Sequence, residues 1–139
     1  MLRKTITYTD YNGTKQEDVC YFNLNKAELG KLQMKMDGKF LDHLQALMER
    51  KRIESLYDFF YNLLLDSYGE KDASGKKFNK SPEIRADFEN SIAFSEILMD
   101  VISSPENMAS FTKGILPADM ITEAGDMDVK ALPETGSLE

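Results

Sequence analysis

His43 and Cys20 are the only histidine and the only cysteine in the chain, and together they bound the chemistry its side chains can perform. His43 lies among Leu41, Leu44 and Leu47 in a run with helical spacing. A general base there needs an orienting partner and a nucleophile, and Asp42, adjacent in sequence, points elsewhere on a helix. An exposed or interfacial histidine is the expectation. Cys20 falls between Val19 and Tyr21 in a strand-like run without a cation to lower its pKa, so it is expected to be a packed strand residue. One His and one Cys cannot complete a zinc site. Asp126 and Asp128 stand two apart but lack the remaining ligands of a calcium loop. The glycines show no phosphate-cradling spacing before a helix. Neither an enzyme nor a bound cofactor is expected.

The remaining charged feature is a cluster of lysines. Residues 66–81, "DSYGEKDASGKKFNKS", carry Lys71, Lys76, Lys77 and Lys80 around a lone phenylalanine, Phe78, in a chain of formal net charge −7. Such a patch either keeps a loop soluble or meets an acidic surface such as a neighbouring copy. The acidic balance argues against nucleic-acid binding, because phosphate contacts need clustered cations and the one basic stretch, "MERKRIES", is short and followed by acids. No run approaches the ~20 apolar residues of a membrane span. The first residues, "MLRKTITYTD", lack the apolar core of a secretory signal. A single cysteine suits a reducing compartment.

The elements that position these residues begin with a hairpin. "KTITYT" and "DVCYFNL" are rich in β-branched and aromatic residues, and Asn12-Gly13 lies in the turn between them. A two-residue turn sets Ile6 opposite Val19. One more loop residue sets Ile6 opposite Cys20 and Leu2 opposite Leu24, and spacing alone leaves both open.

Helices follow. Asn25 and Glu28 form a capping box ahead of Leu29 and Leu32, Gly38 breaks that segment, and Leu41, Leu44, Leu47 and Met48 share the next face. Ile53, Leu56, Tyr57, Phe60, Leu63 and Leu64 give the clearest helical period, and Phe59 and Leu65 widen its stripe. Ser81-Pro82-Glu83 opens a helix expected to run on through Val101, and Ser104-Pro105-Glu106 opens a short one closed by Gly114. On the longer of these, Ile84, Phe88 and Ile92 line one side while Phe94, Ile97, Leu98 and Val101 cover another. Two apolar sides suggest core on one and a partner on the other. Phe94, Ile97, Leu98, Val101, Phe59 and Leu65 are therefore the candidate partner-binding residues, and Lys71, Lys76, Lys77, Phe78 and Lys80 the candidate self-association loop. Eight methionines add flexible apolar surface of the kind that lines adaptable binding sites.

The fold class is α+β: an N-terminal β-hairpin followed by a small bundle of about four helices. Residues 1–117 are expected to form a single domain, 118–131 a flexible tail, and 132–139, "LPETGSLE", to be a sortase tag with a cloning scar.

In order, "YTDYNG", "YFNLNKAEL", "SYGEKDASGKKFNKSPEI", "DFENSIAFSEILMD" and "MASFTKGILP" resemble the tail assembly chaperone of long-tailed, siphovirus-type bacteriophages of Gram-positive hosts. The resemblance runs from about Lys4 to Pro117, and the serine-tyrosine-glycine loop with its later glycine, aromatic and lysine-serine carries most of it. It implies a non-catalytic protein of the infected host's cytoplasm, absent from the mature virion. Such a protein coats the tape measure protein, recruits major tail tube protein and associates with itself, with no nucleic acid or membrane partner. It also implies a longer frameshifted form. The competing reading is another small viral or bacterial α+β adaptor, such as a head–tail completion or regulatory protein.

Overall fold

The computed structural model describes residues 1–36, 39–50 and 53–117. Gly38, the Lys51-Arg52 pair, and the tail and tag expected after Pro117 lie outside the described residues. Strands β1 (Leu2–Thr9) and β2 (Lys15–Phe22) lead into helices α1 (Lys26–Met36), α2 (Phe40–Arg50) and α3 (Ile53–Ser67). A second hairpin, β3 (Tyr68–Lys71) and β4 (Phe78–Asn79), precedes α4 (Pro82–Glu89), α5 (Ile92–Val101) and α6 (Pro105–Ile115). The strands form one sheet in the order β1-β2-β3-β4, each pair antiparallel. The expected α+β class holds, with six described helices in place of about four.

The first hairpin takes neither register expected. Leu2 pairs Phe22, Lys4 pairs Cys20 and Ile6 pairs Asp18, two residues away from the longer-loop alternative and with the same faces inward. The reason lies in the turn. The Asp10 amide donates to the Thr14 carbonyl (2.8 Å), the Gly13 amide to the Asp10 carbonyl (3.0 Å), and Gly13 takes φ 83°. This is the three-residue loop with a left-handed glycine bulge, which uses one positive φ. The Asp10 carboxylate fastens it by accepting from the Asn12 and Thr14 amides.

The segment expected to be a loop is the second hairpin, built on the same device. Gly75 has φ 75° and donates to the Asp72 carbonyl, and the Asp72 carboxylate accepts from Ser74 Oγ. Its third-strand role comes from pairing Tyr21 with Gly69 and Phe22 with Tyr68. Phe78 lies across Gly69 so closely that a Cβ there would sit 2.7 Å from its ring and 2.9 Å from the Asn79 carbonyl oxygen. Phe78 thus packs on the sheet, over the glycine of "SYG".

The capping box forms as read: the Asn25 amide donates to Glu28 and the Glu28 amide to Asn25 Oδ1. Ser81 and Ser104 cap α4 and α6 with proline at the first turn. Ser91 is a third cap, accepting from the Phe94 amide, and it divides the long helix expected over 81–101 into α4 and α5. Gly114 does not close α6, which runs to Ile115; it opens a notch for Leu2, whose Cδ1 would lie 2.9 Å from an added Cβ.

Gly69→Ala must displace backbone on β4 as well as the Phe78 ring. We expect it to cost about 1–3 kcal/mol and to lower the thermal midpoint by several degrees, measured by circular dichroism. Phe78→Ala should also lower that midpoint, and on the Gly69→Ala background the ring's removal should recover part of the loss.

Candidate partner-binding surfaces

α5 is the central helix, and its apolar residues are used inside the molecule. Phe94, Ile97, Leu98 and Val101 are all buried, as is Leu65 on α3. α5 packs against β1, α3, α4 and α6, so both of its greasy sides meet this chain's own elements. The Phe94 ring meets Tyr61 edge-on at 4.9 Å and Phe88 at 5.3 Å. These five side chains, read in sequence as a partner face, are core here. Their two-sided pattern follows from the break at Ser91 and from a helix enclosed on several sides.

Phe59 differs. It is partly buried, and its ring lies 5.7 Å from Phe40, 5.9 Å from His43 and 5.4 Å from Phe60. It lines a groove of about 340 Å³ between α1, α2 and α3, with Leu32 and Met36 from α1, His43 and Leu47 from α2, and Ser55, Asp58, Asn62, Leu63 and Asp66 from α3. His43 is thus interfacial between helices, with the Phe59 ring as its aromatic neighbour. Met34, two residues from both Leu32 and Met36 on α1, is 83% exposed.

The lysine hairpin is partly self-satisfied. Lys80 donates to the Asn23 carbonyl (2.7 Å) and to Glu28 (2.6 Å), binding the hairpin to the α1 cap, and its ammonium lies 5.6 Å from the Phe78 ring centre. Lys71 lies 5.7 Å from the centre of Tyr21. Lys76 and Lys77 stand exposed at the tip. Sequence reading grouped five residues that the fold separates into a packed base and a charged tip.

A second groove of about 330 Å³ runs between β2 and α4–α5, with Glu17, Asp18, Glu70 and Asp87 around Cys20, Tyr68 and Phe88. Burial, with a smaller part from Asp18, pushes the Cys20 thiol up to about 11. Tyr8 rises to about 12, chiefly because it donates to Asp18, and Tyr68 to about 12 through burial. This field opposes a thiolate, so the groove disfavours nucleophilic chemistry. Among the described residues no group of three or more His, Cys, Asp or Glu is arranged to hold a metal, and no helix is long and apolar enough to cross a membrane.

A family model described as "Phage tail assembly chaperone" matches residues 1–137, continuing past Pro117. No curated protein and no solved structure matches the chain.

Groups that hold their protons more tightly when folded contribute stability below their ordinary pKa and lose that contribution as pH climbs toward the folded value. With Cys20 raised from 9.0 and Tyr8 and Tyr68 from 10.0, we expect the thermal midpoint to fall between pH 9 and 12. Tyr8→Phe should reduce that slope. Native Cys20 should react slowly with a disulfide reagent at pH 8 and rapidly once unfolded; fast native reaction would contradict its placement.

Proposed function

Because the chain belongs to the phage tail assembly chaperone family, we propose that it binds the tape measure protein of its phage, keeps it soluble and recruits tail tube subunits as the tube polymerises. The family match across residues 1–137 carries this reading. A tape measure is a very long helical polypeptide whose apolar stripes aggregate unless covered. Small acidic proteins sheathing it bury apolar area at about 25 cal/mol per Å² while adding charge that resists clumping. Each contact must be weak enough for tube subunits to displace it, so holding power comes from many copies. The work is done in the cytoplasm of the infected host, and the chaperone is left out of the finished virion.

Two features support association between copies. β1 is the outer strand of the sheet, eight residues long and without proline, and a strand edge of that kind accepts a neighbour. The Lys76-Lys77 tip and the acidic β2–α4 groove offer opposite charge on one molecule.

Co-expression with the tape measure protein from the same gene cluster tests the proposal. The tape measure should move from the insoluble to the soluble fraction and co-purify with several copies of the chain. A tape measure that stays insoluble beside abundant soluble chaperone would overturn the reading.

A further inference from the structure

The groove at Phe59 is the middle of a longer trough. Ser55 and Asp58 also line a depression with Ile53, Glu54 and Tyr57, while Leu32 and Asp66 also line one with Leu24, Glu28, Lys31 and Lys35. The three share walls, so the trough follows α3 from Ile53 to Asp66, about 20 Å at 1.5 Å per residue. Its apolar lining is Leu32, Met36, Leu47 and Phe59, all partly buried, over the buried Leu63. Along α3 the polar residues recur at four-residue steps: Glu54, Asp58, Asn62 and Asp66. Such residues lie about 5–6 Å apart on one ridge.

We propose that this trough docks an amphipathic helix of the partner protein, one with an apolar stripe of three- and four-residue steps flanked by Lys or Arg every fourth residue. Apolar side chains fill the space between α1 and α2, and the basic flank meets Glu54 and Asp58, since Asp66 is already paired with Arg85. A helical occupant is chosen on hydrogen-bond grounds. The trough walls are helices whose central backbone groups are already bonded, so an extended chain would find no ladder there. A helix brings its own backbone bonds satisfied. Charge selects the flank, since a carboxylate ridge repels an acidic helix and steers a basic one. The rim Lys31 and Lys35 lie at the Asp66 end, so the basic flank belongs toward Glu54 and Asp58. This deepens the chaperone reading by giving the helical tape measure a place on the molecule.

The test uses two labelled helical peptides of about four turns with the same leucine stripe, one flanked by lysine and one by glutamate, titrated by fluorescence anisotropy at low salt. The lysine peptide should bind roughly tenfold or more tightly than the glutamate peptide. Glu54→Lys with Asp58→Lys should reverse that preference, and Leu47→Glu should abolish binding of both while the circular dichroism spectrum is unchanged. Should Leu47→Glu fail to fold, the exposed charge pair still decides. No binding, equal binding of the two peptides, or an unreversed preference overturns the trough. So does a variant that alters only self-association in sedimentation, which would make the trough a contact between copies. In the co-expression assay, rescue that survives every trough variant removes the trough and leaves the chaperone reading standing; failure of the unaltered chain to rescue removes that reading alone.

Discussion

The fold converges on the ring of Phe22. This residue is fully buried at the point where β2, already paired to Leu2 of β1, also takes Tyr68 of β3 as its neighbour. Its ring meets Tyr68 at 5.8 Å, Phe88 of α4 at 5.7 Å and Phe111 of α6 at 5.5 Å, all edge-on. Tyr68 and Phe88 stack beneath it at 3.8 Å. Each such aromatic pair contributes about 0.5–1.5 kcal/mol beyond area burial. Three on one ring are a sizeable share of a net stability of about 5–15 kcal/mol. The sheet, the second hairpin and the C-terminal helices therefore depend on one side chain being held at one register, which the Asp10–Gly13 turn sets nine residues upstream of β2's end.

That requirement explains the arrangement of the helices. A straight helix over 81–101 would have to present both Phe88 to Phe22 and Phe94 to Tyr61 from a single axis. The break at Asn90 and Ser91 lets α4 serve the first contact and α5 the second, and Ser91 Oγ accepts from the Phe94 amide exposed by the break. With α5 enclosed, the apolar surface left to solvent lies away from the aromatic centre. There α1 buries only Leu29 among its residues, and Leu32, Met36, Leu47 and Phe59 are covered on one side alone. The candidate binding trough sits where the core stops.

Features fixed by short-range chemistry were legible in the chain. The first hairpin, the Asn25–Glu28 box and both Ser-Pro-Glu starts form as their local patterns dictate. The class follows from their order. The break at Ser91 had a local signal, a serine three residues before Phe94, but an uninterrupted apolar pattern with no proline or glycine outweighed it. β3 was hidden because "YGEK" has weak strand preference; its conformation is imposed by Phe22, by the Phe78 ring across Gly69 and by the Lys80 bridge. One clue was available, since Asp72 to Gly75 repeats the Asp10 to Gly13 spacing of the first turn. The candidate partner residues on α5 are enclosed by this chain's own elements, because a helix's apolar width shows how much is covered and never by whom. The trough needs walls from three helices, so of its lining only Phe59 stood among the candidate partner-binding residues.

A chaperone that must let go is constrained differently from one that must hold. Full burial of Leu32, Met36, Leu47 and Phe59 against a partner would favour a long-lived complex. Their partial burial in the free chain leaves less apolar area to gain on docking, and so a smaller free energy per copy. Carboxylates beside that area act chiefly on the rate of encounter, because exposed charge pairs steer association and are screened by salt. Under the proposed function the formal charge of −7 would act between copies: each molecule bound to a polypeptide would add negative field that opposes contact between two coats. On this reading the same acids that choose a basic helix also keep one sheathed chain away from the next.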